Sequence, residues 1–75
     1  MTEVISIESV IASNIQTLLA DRGWRIIRLA DAVESTIERS GVYRITKGEV
    51  MPSVVSLAAI AKALDTTVDA LISES

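Results

Sequence analysis

Ile-Glu-Arg-Ser-Gly-Val-Tyr-Arg-Ile-Thr-Lys-Gly, residues 37–48, sorts into two faces when wound as a helix. Val42 and Ile45 lie three apart and share a face with Ile37 or Gly41 one turn back. Arg39, Ser40, Tyr43, Arg44 and Lys47 fall mostly on the other side, and Glu38 at its start is the only carboxylate there. An arginine can aim two donors at guanine O6 and N7, and serine is a short, adaptable partner for a base or a phosphate. The stretch therefore reads as a short helix that enters a DNA major groove while other residues hold it there. The same residues on their own also describe an ordinary amphipathic helix with a solvated polar face. The flanking chain has to decide between the two.

Seventy-five residues make one small domain with a thin core, for which an all-helical bundle or an oligomer is the natural solution. Hydrophobic residues form 49% of the chain, enough to argue for a folded protein. There is no cysteine and no histidine, so the usual general base, the thiolate nucleophile and the commonest metal ligands are missing. The remaining carboxylates and hydroxyls form no pair with the spacing of a catalytic or metal-binding motif, so the expectation is a protein without enzymatic activity and without a cofactor. No apolar run reaches the roughly 18 residues that span a bilayer, and the N-terminus carries no basic region of the kind that opens a secretory signal. The expected compartment is the cytoplasm, with no membrane partner.

The net charge of −3 counts against nucleic-acid binding, but its distribution does not. Six of the seven basic residues lie between Arg22 and Lys47, with only three of the ten acidic ones, Asp31, Glu34 and Glu38. That window is net +3 and the rest of the chain is −6, which puts a positive surface in the middle of the sequence between acidic ends.

Upstream, residues 1–8 carry Val4, Ile5 and Ile7 in a β-branched run that suits an extended segment, an N-terminal extension packed on the domain or on a partner subunit, or frayed. A first helix is expected from about Ser9 to Asp21, capped by Ser6 or Ser9, with Ile11, Ile15 and Leu18 as its apolar stripe, Leu19 beside it and Gly23 as its stop. Trp24 reads as a plug over the core. A second helix, about Arg25 to Val33, buries Leu29, Ala30 and Val33. Arg25 sits at its start, where free backbone N–H groups favour a phosphate, and Arg28 lies one turn on. Both arginines are candidate backbone contacts, and both could equally serve solubility or pair with Asp21, Asp31 or Glu34.

Glu34, Ser35 and Thr36 read as a turn, and Thr36 or Glu38 can cap a third helix from Arg39 to Thr46, which Gly48 stops. Pro52 and the cap Ser53 open a fourth helix, Val54 to Leu64, with Leu57, Ile60, Ala61 and Leu64 at helical spacing. Thr67 caps a last short helix, Val68 to about Ser73. Val68, Leu71 and Ile72 are too apolar for a free tail, so they seal the core or form a dimer seam, with Val54 and Val55 as alternative seam residues.

Five short helices with a tight turn between the second and third resemble the lambda-repressor-like helix-turn-helix family of phage repressors, Cro proteins and bacterial relatives. Residues 9–73 carry the likeness. Its strongest part is Pro52-Ser53, then Leu57, then Ile60-Ala61-Lys62-Ala63-Leu64, then Asp69 and Leu71. Ile11, Ile15, Leu18 and Gly23 match the family's first helix, Leu29-Ala30 its second, and Arg39-Ser40-Gly41-Val42, Ile45 and Gly48 its third. The chain departs from the family in three places. Arg25 and Ile26 stand where a Ser or Thr followed by a phosphate-gripping Gln is usual, the stretch from Leu29 to Gly48 is longer than usual, and the loop Glu49-Val50-Met51 is acidic rather than basic.

The resemblance implies an all-α, compact five-helix domain over residues 9–75 and a sequence-specific regulator that binds double-stranded DNA. The repressors of this family are themselves the worked example of a docking geometry in which a dimer sets its recognition helices into successive major grooves about 34 Å apart. On that geometry Arg39, Ser40, Tyr43 and Arg44 are expected at or near base edges, and Arg25, Arg28 and Lys47 at the backbone. So few cations on one subunit make a homodimer on a pseudo-palindromic operator the expected form. A single domain leaves no room for an appended ligand pocket or cleavage domain, which suits a phage repressor or Cro-like switch, a controller of a restriction system, an antitoxin, or a domain excised from a longer protein. The competing expectation is a protein-interaction module that uses the acidic, apolar ends of the same fold to bind a protein partner.

Overall fold

A computed structural model describes residues 6–74 and shows five helices among them. Helix α1 spans Ile7–Arg22. Ser6 is extended and its side chain accepts from the Ser9 N–H at 3.2 Å, so this serine, not Ser9, opens the helix. The helix therefore begins inside the segment expected to be extended; Ile7 is helical, and the reading of Val4 and Ile5 lies outside the described residues. At the other end Gly23 adopts a left-handed φ of 66°. Its N–H bonds to Ala20 O while Trp24 N–H bonds to Leu19 O, the paired pattern that satisfies the last carbonyls of a helix. Helix α3, Arg39–Thr46, ends the same way: Gly48 has φ 76°, its N–H reaches Ile45 O, and Glu49 N–H reaches Arg44 O.

Helix α4 spans Val54–Ala63, and the capping Ser53 side chain accepts from the Ser56 N–H at 3.1 Å. It closes with the same two bonds around a non-glycine: Asp65 has φ 54°, its N–H bonds to Lys62 O, and Thr66 N–H bonds to Ala61 O. Helix α5, Val68–Ile72, is capped by Thr67 on the Ala70 N–H. Asn14 of α1 donates to Leu71 O at 2.7 Å and to Ser73 O at 2.9 Å, tying down the end of that last helix.

Helix α2, Ile26–Ala32, stops one residue before Val33, and the chain to α3 is a six-residue turn rather than a tight one. The N–H groups of Thr36 and Ile37 both bond to Val33 O at 2.9 Å, so the added residues make a further turn of their own. Ile37 is not on α3 but in this turn, where it is buried in the core. Glu38 takes the extended N-cap position of α3, yet neither its side chain nor that of Thr36 makes a capping bond. The longer connection leaves the start of α3 at Arg39.

The core joins one stripe from each helix: Ile11, Ile15 and Leu19 of α1; Leu29 and Ala30 of α2; Val42 and Ile45 of α3; Leu57, Ile60 and Ala61 of α4; and Leu71 of α5, with Val33, Ile37 and Leu64 from the connections. Leu18, expected in the α1 stripe, is only partly buried, and Leu19 takes the central place. Helix α3 packs on α1 and on α2, and that pair of contacts fixes its orientation.

Candidate nucleic-acid interface

Helix α3 divides by burial. Val42 is fully buried, Ile45 is 4% exposed and Thr46 is 1% exposed. Thr46 disposes of its hydroxyl locally by donating to Tyr43 O at 2.9 Å, so this polar side chain enters the core without an unsatisfied group. Arg39, Ser40 and Arg44 on the helix and Lys47 at its C-cap are exposed. At about 100° per residue, positions 39, 40, 43, 44 and 47 share an arc of roughly 140°. The arc thus carries four exposed residues, three of them cationic, while Val42, Ile45 and Thr46 are committed to the core.

Both ends of α3 are held from outside. At the C-terminal end Gln16 of α1 donates to Thr46 O at 2.6 Å, taking one of the carbonyls the helix itself cannot satisfy. Near the N-terminal end Gly41 lies so close to Ile37 that a Cβ there would sit 3.2 Å from the Ile37 methyl, and the missing side chain lets the turn residue pack onto the helix. Arg39 donates from Nη2 to Asp31 Oδ1 at 2.7 Å. This ion pair links the end of α2 to the start of α3, and both side chains are more than half exposed.

The other expected contacts are placed unevenly. Tyr43 is half-buried and does not stand free on the outward face. It lines a groove between α1, α2 and α3 together with Gln16, Trp24, Arg25, Ile26 and Ile27, so the structure brings Tyr43 and Arg25 to one place. Arg25 is exposed at the N-cap of α2 and makes no side-chain capping bond. Arg28 lies over the Trp24 ring, its guanidinium carbon 4.3 Å from the ring centroid. Trp24 therefore packs against the core as expected and also supports a cation on its outer face.

Val68, Leu71 and Ile72, expected either to seal the core or to form a seam, all pack on the core of their own chain. Leu71 is 0% exposed, a core residue of its own chain with no surface to offer a partner, and Val68 and Ile72 are partly buried against the same core. The most exposed large apolar residues among those described are Val54 at 75% and Val55 at 68%, at the start of α4, with Met51 and Val50 shortly before them in the chain. The sequence reading missed Gln16 and the pairing of Asp31 with Arg39. Neither has a local signal, because both depend on how the helices pack.

A helix-turn-helix family model matches residues 15–71, from the middle of α1 into α5. No curated protein and no solved structure gives a significant match. Among the described residues no helix is long and apolar enough to cross a membrane. The matched span covers most of the chain and all of α2 through α4. The chain belongs to the lambda-repressor-like helix-turn-helix family of DNA-binding transcription regulators.

Proposed function

We propose that this protein is a sequence-specific repressor of the phage or Cro-like kind, which binds a pseudo-palindromic operator as a homodimer. The observation that carries the reading is the division of α3: a buried face of Val42, Ile45 and Thr46 that fixes the helix, and an exposed face of Arg39, Ser40, Arg44 and Lys47 that lies outside the core. In the major groove Arg39, Ser40 and Arg44 are the base-reading residues, with Tyr43 at the edge of the groove near the sugar–phosphate strand. Arg25, Arg28 and Lys47 are the backbone contacts. Ile26 offers no hydrogen bond, so Arg25 alone supplies the phosphate grip at the start of α2.

Dimerisation supplies the second half-site that so small a cationic surface requires. Val54 and Val55 are the seam residues in this reading, since a large exposed apolar pair is otherwise a liability in a soluble monomer. The same apolar pair, next to the acidic loop that begins at Glu49, favours a second reading in which the domain binds a protein, as an antitoxin or a repressor-partner domain does.

Selection from random double-stranded DNA, followed by sequencing of the bound pool, separates the two. An inverted repeat with half-sites about one helical turn apart supports the dimeric repressor. No enrichment at low salt and high protein concentration refutes it in favour of the protein-binding module.

A further inference from the structure

Asp31 stands in an unfavourable position for helix stability. It lies in the last turn of α2, where the helix dipole disfavours a negative charge, and Arg39 is the first residue of α3, where the dipole disfavours a positive one. Each charge is relieved by the other through the 2.7 Å bond from Nη2 to Oδ1. The pair is the ion pair found among the described residues, and it spans the turn between α2 and α3. Asp31 also puts a carboxylate on the face that the proposed function gives to a polyanion. A residue unfavourable for its own helix and for backbone contact has one evident use, which is Arg39.

We propose that Asp31 is a positioning residue that sets sequence specificity, an inference that rests on the DNA-reading function proposed above. The bond engages one of the guanidinium's five N–H donors and leaves the others for a guanine edge. It holds the side chain at the start of α3, and its negative charge keeps backbone phosphates from capturing Arg39. Arg39 then reads a base instead of closing on the nearest phosphate. Because both groups are exposed, the bond is weak enough to adjust when DNA arrives.

The test applies the same random-DNA selection to the wild type, Asp31→Ala, Asp31→Asn, Asp31→Glu and Arg39→Ala, with folding verified by circular dichroism. Asp31→Ala should flatten the preference at one base-pair position of each half-site by about two- to fivefold, the range of an exposed ion pair, and tighten binding to random DNA at low salt. Asp31→Glu should recover the preference. Asp31→Asn, which can still accept the Arg39 bond but no longer repels phosphate, should lose part of the preference and show the tighter random binding. On an Arg39→Ala background, Asp31→Ala should leave every preference unchanged. A wild type that selects an operator, with an Asp31→Ala protein that selects it with the same preference at every position, overturns the role of Asp31 alone. A wild type that enriches no sequence overturns the DNA-reading function itself, and this inference with it.

Discussion

Arg44 is the side chain whose loss most directly tests whether α3 reads DNA. It is exposed on the helix, is on the arc opposite Val42 and Ile45, and makes no ion pair among the described residues. Truncating it to alanine therefore removes nothing from the core, and alanine is the best helix former, so folding stability should change by no more than about 0.5 kcal/mol. The whole effect should fall on binding. A bidentate arginine–guanine pair is worth about 1–3 kcal/mol, so Arg44→Ala in both subunits of a dimer should cost about 2–6 kcal/mol, or about 30-fold to 10⁴-fold in operator affinity. Fluorescence anisotropy on the selected operator and on random DNA, each as a salt titration, measures both terms. With three proposed phosphate contacts in each subunit the wild-type slope of log affinity against log salt should lie near about −5. If Arg44 reads a base, the operator loss exceeds the random-DNA loss and the preference at one position of each half-site disappears. Equal losses on both DNAs, with the slope reduced by about one unit per subunit, would refute base reading and make Arg44 a phosphate contact.

Three further substitutions test the framework around that helix. Leu71→Ala empties a fully buried site and should lose about 2–5 kcal/mol in urea denaturation with the oligomeric state unchanged; a changed sedimentation coefficient at unaltered stability would return Leu71 to an interface. Asn14→Ala deletes both bonds to the end of α5 and should cost about 1–2 kcal/mol, which lowers the melting temperature by about 4–16 °C in a domain of this size; a shift smaller than that would mean solvent replaces the two bonds at no loss. Val54→Glu with Val55→Glu alters only exposed positions, so the fold should persist while analytical ultracentrifugation shows a shift to monomer; an unshifted dimer would place the seam elsewhere.

Much of the fold was legible because its signals are local. Ser53, Thr67, Gly23 and Gly48 act within one turn of where they stand, and the caps and stops they form were readable from residue type alone. The extent of α3 followed from Val42 and Ile45 on one side and cations on the other. What was not legible depends on contacts between segments far apart in sequence. Leu71 looks the same in sequence whether it faces a partner or its own core, and only the packing of α5 on α1 and α4 decides. The left-handed Asp65 was hidden for a related reason: aspartate tolerates that conformation, yet unlike glycine it does not announce it.

The longer connection between α2 and α3 shows how such a departure can leave the site intact. Extra residues there could have displaced α3. Instead Val33 O receives two N–H bonds, the chain makes another turn, and Ile37 drops into the core beside Gly41. Gln16 fixes the far end of α3 through Thr46 O, independently of the turn. The orientation of the helix thus comes from its buried face and from a bond to α1, and the turn only has to bridge the gap. This gives Ile37 a burial requirement that an ordinary turn residue lacks. It also makes Gly41 matter for space rather than for backbone freedom, because its φ is not positive and a methyl group there would press on Ile37 at 3.2 Å. The exposed positions Ser40 and Arg44 can then vary without disturbing the fold that presents them.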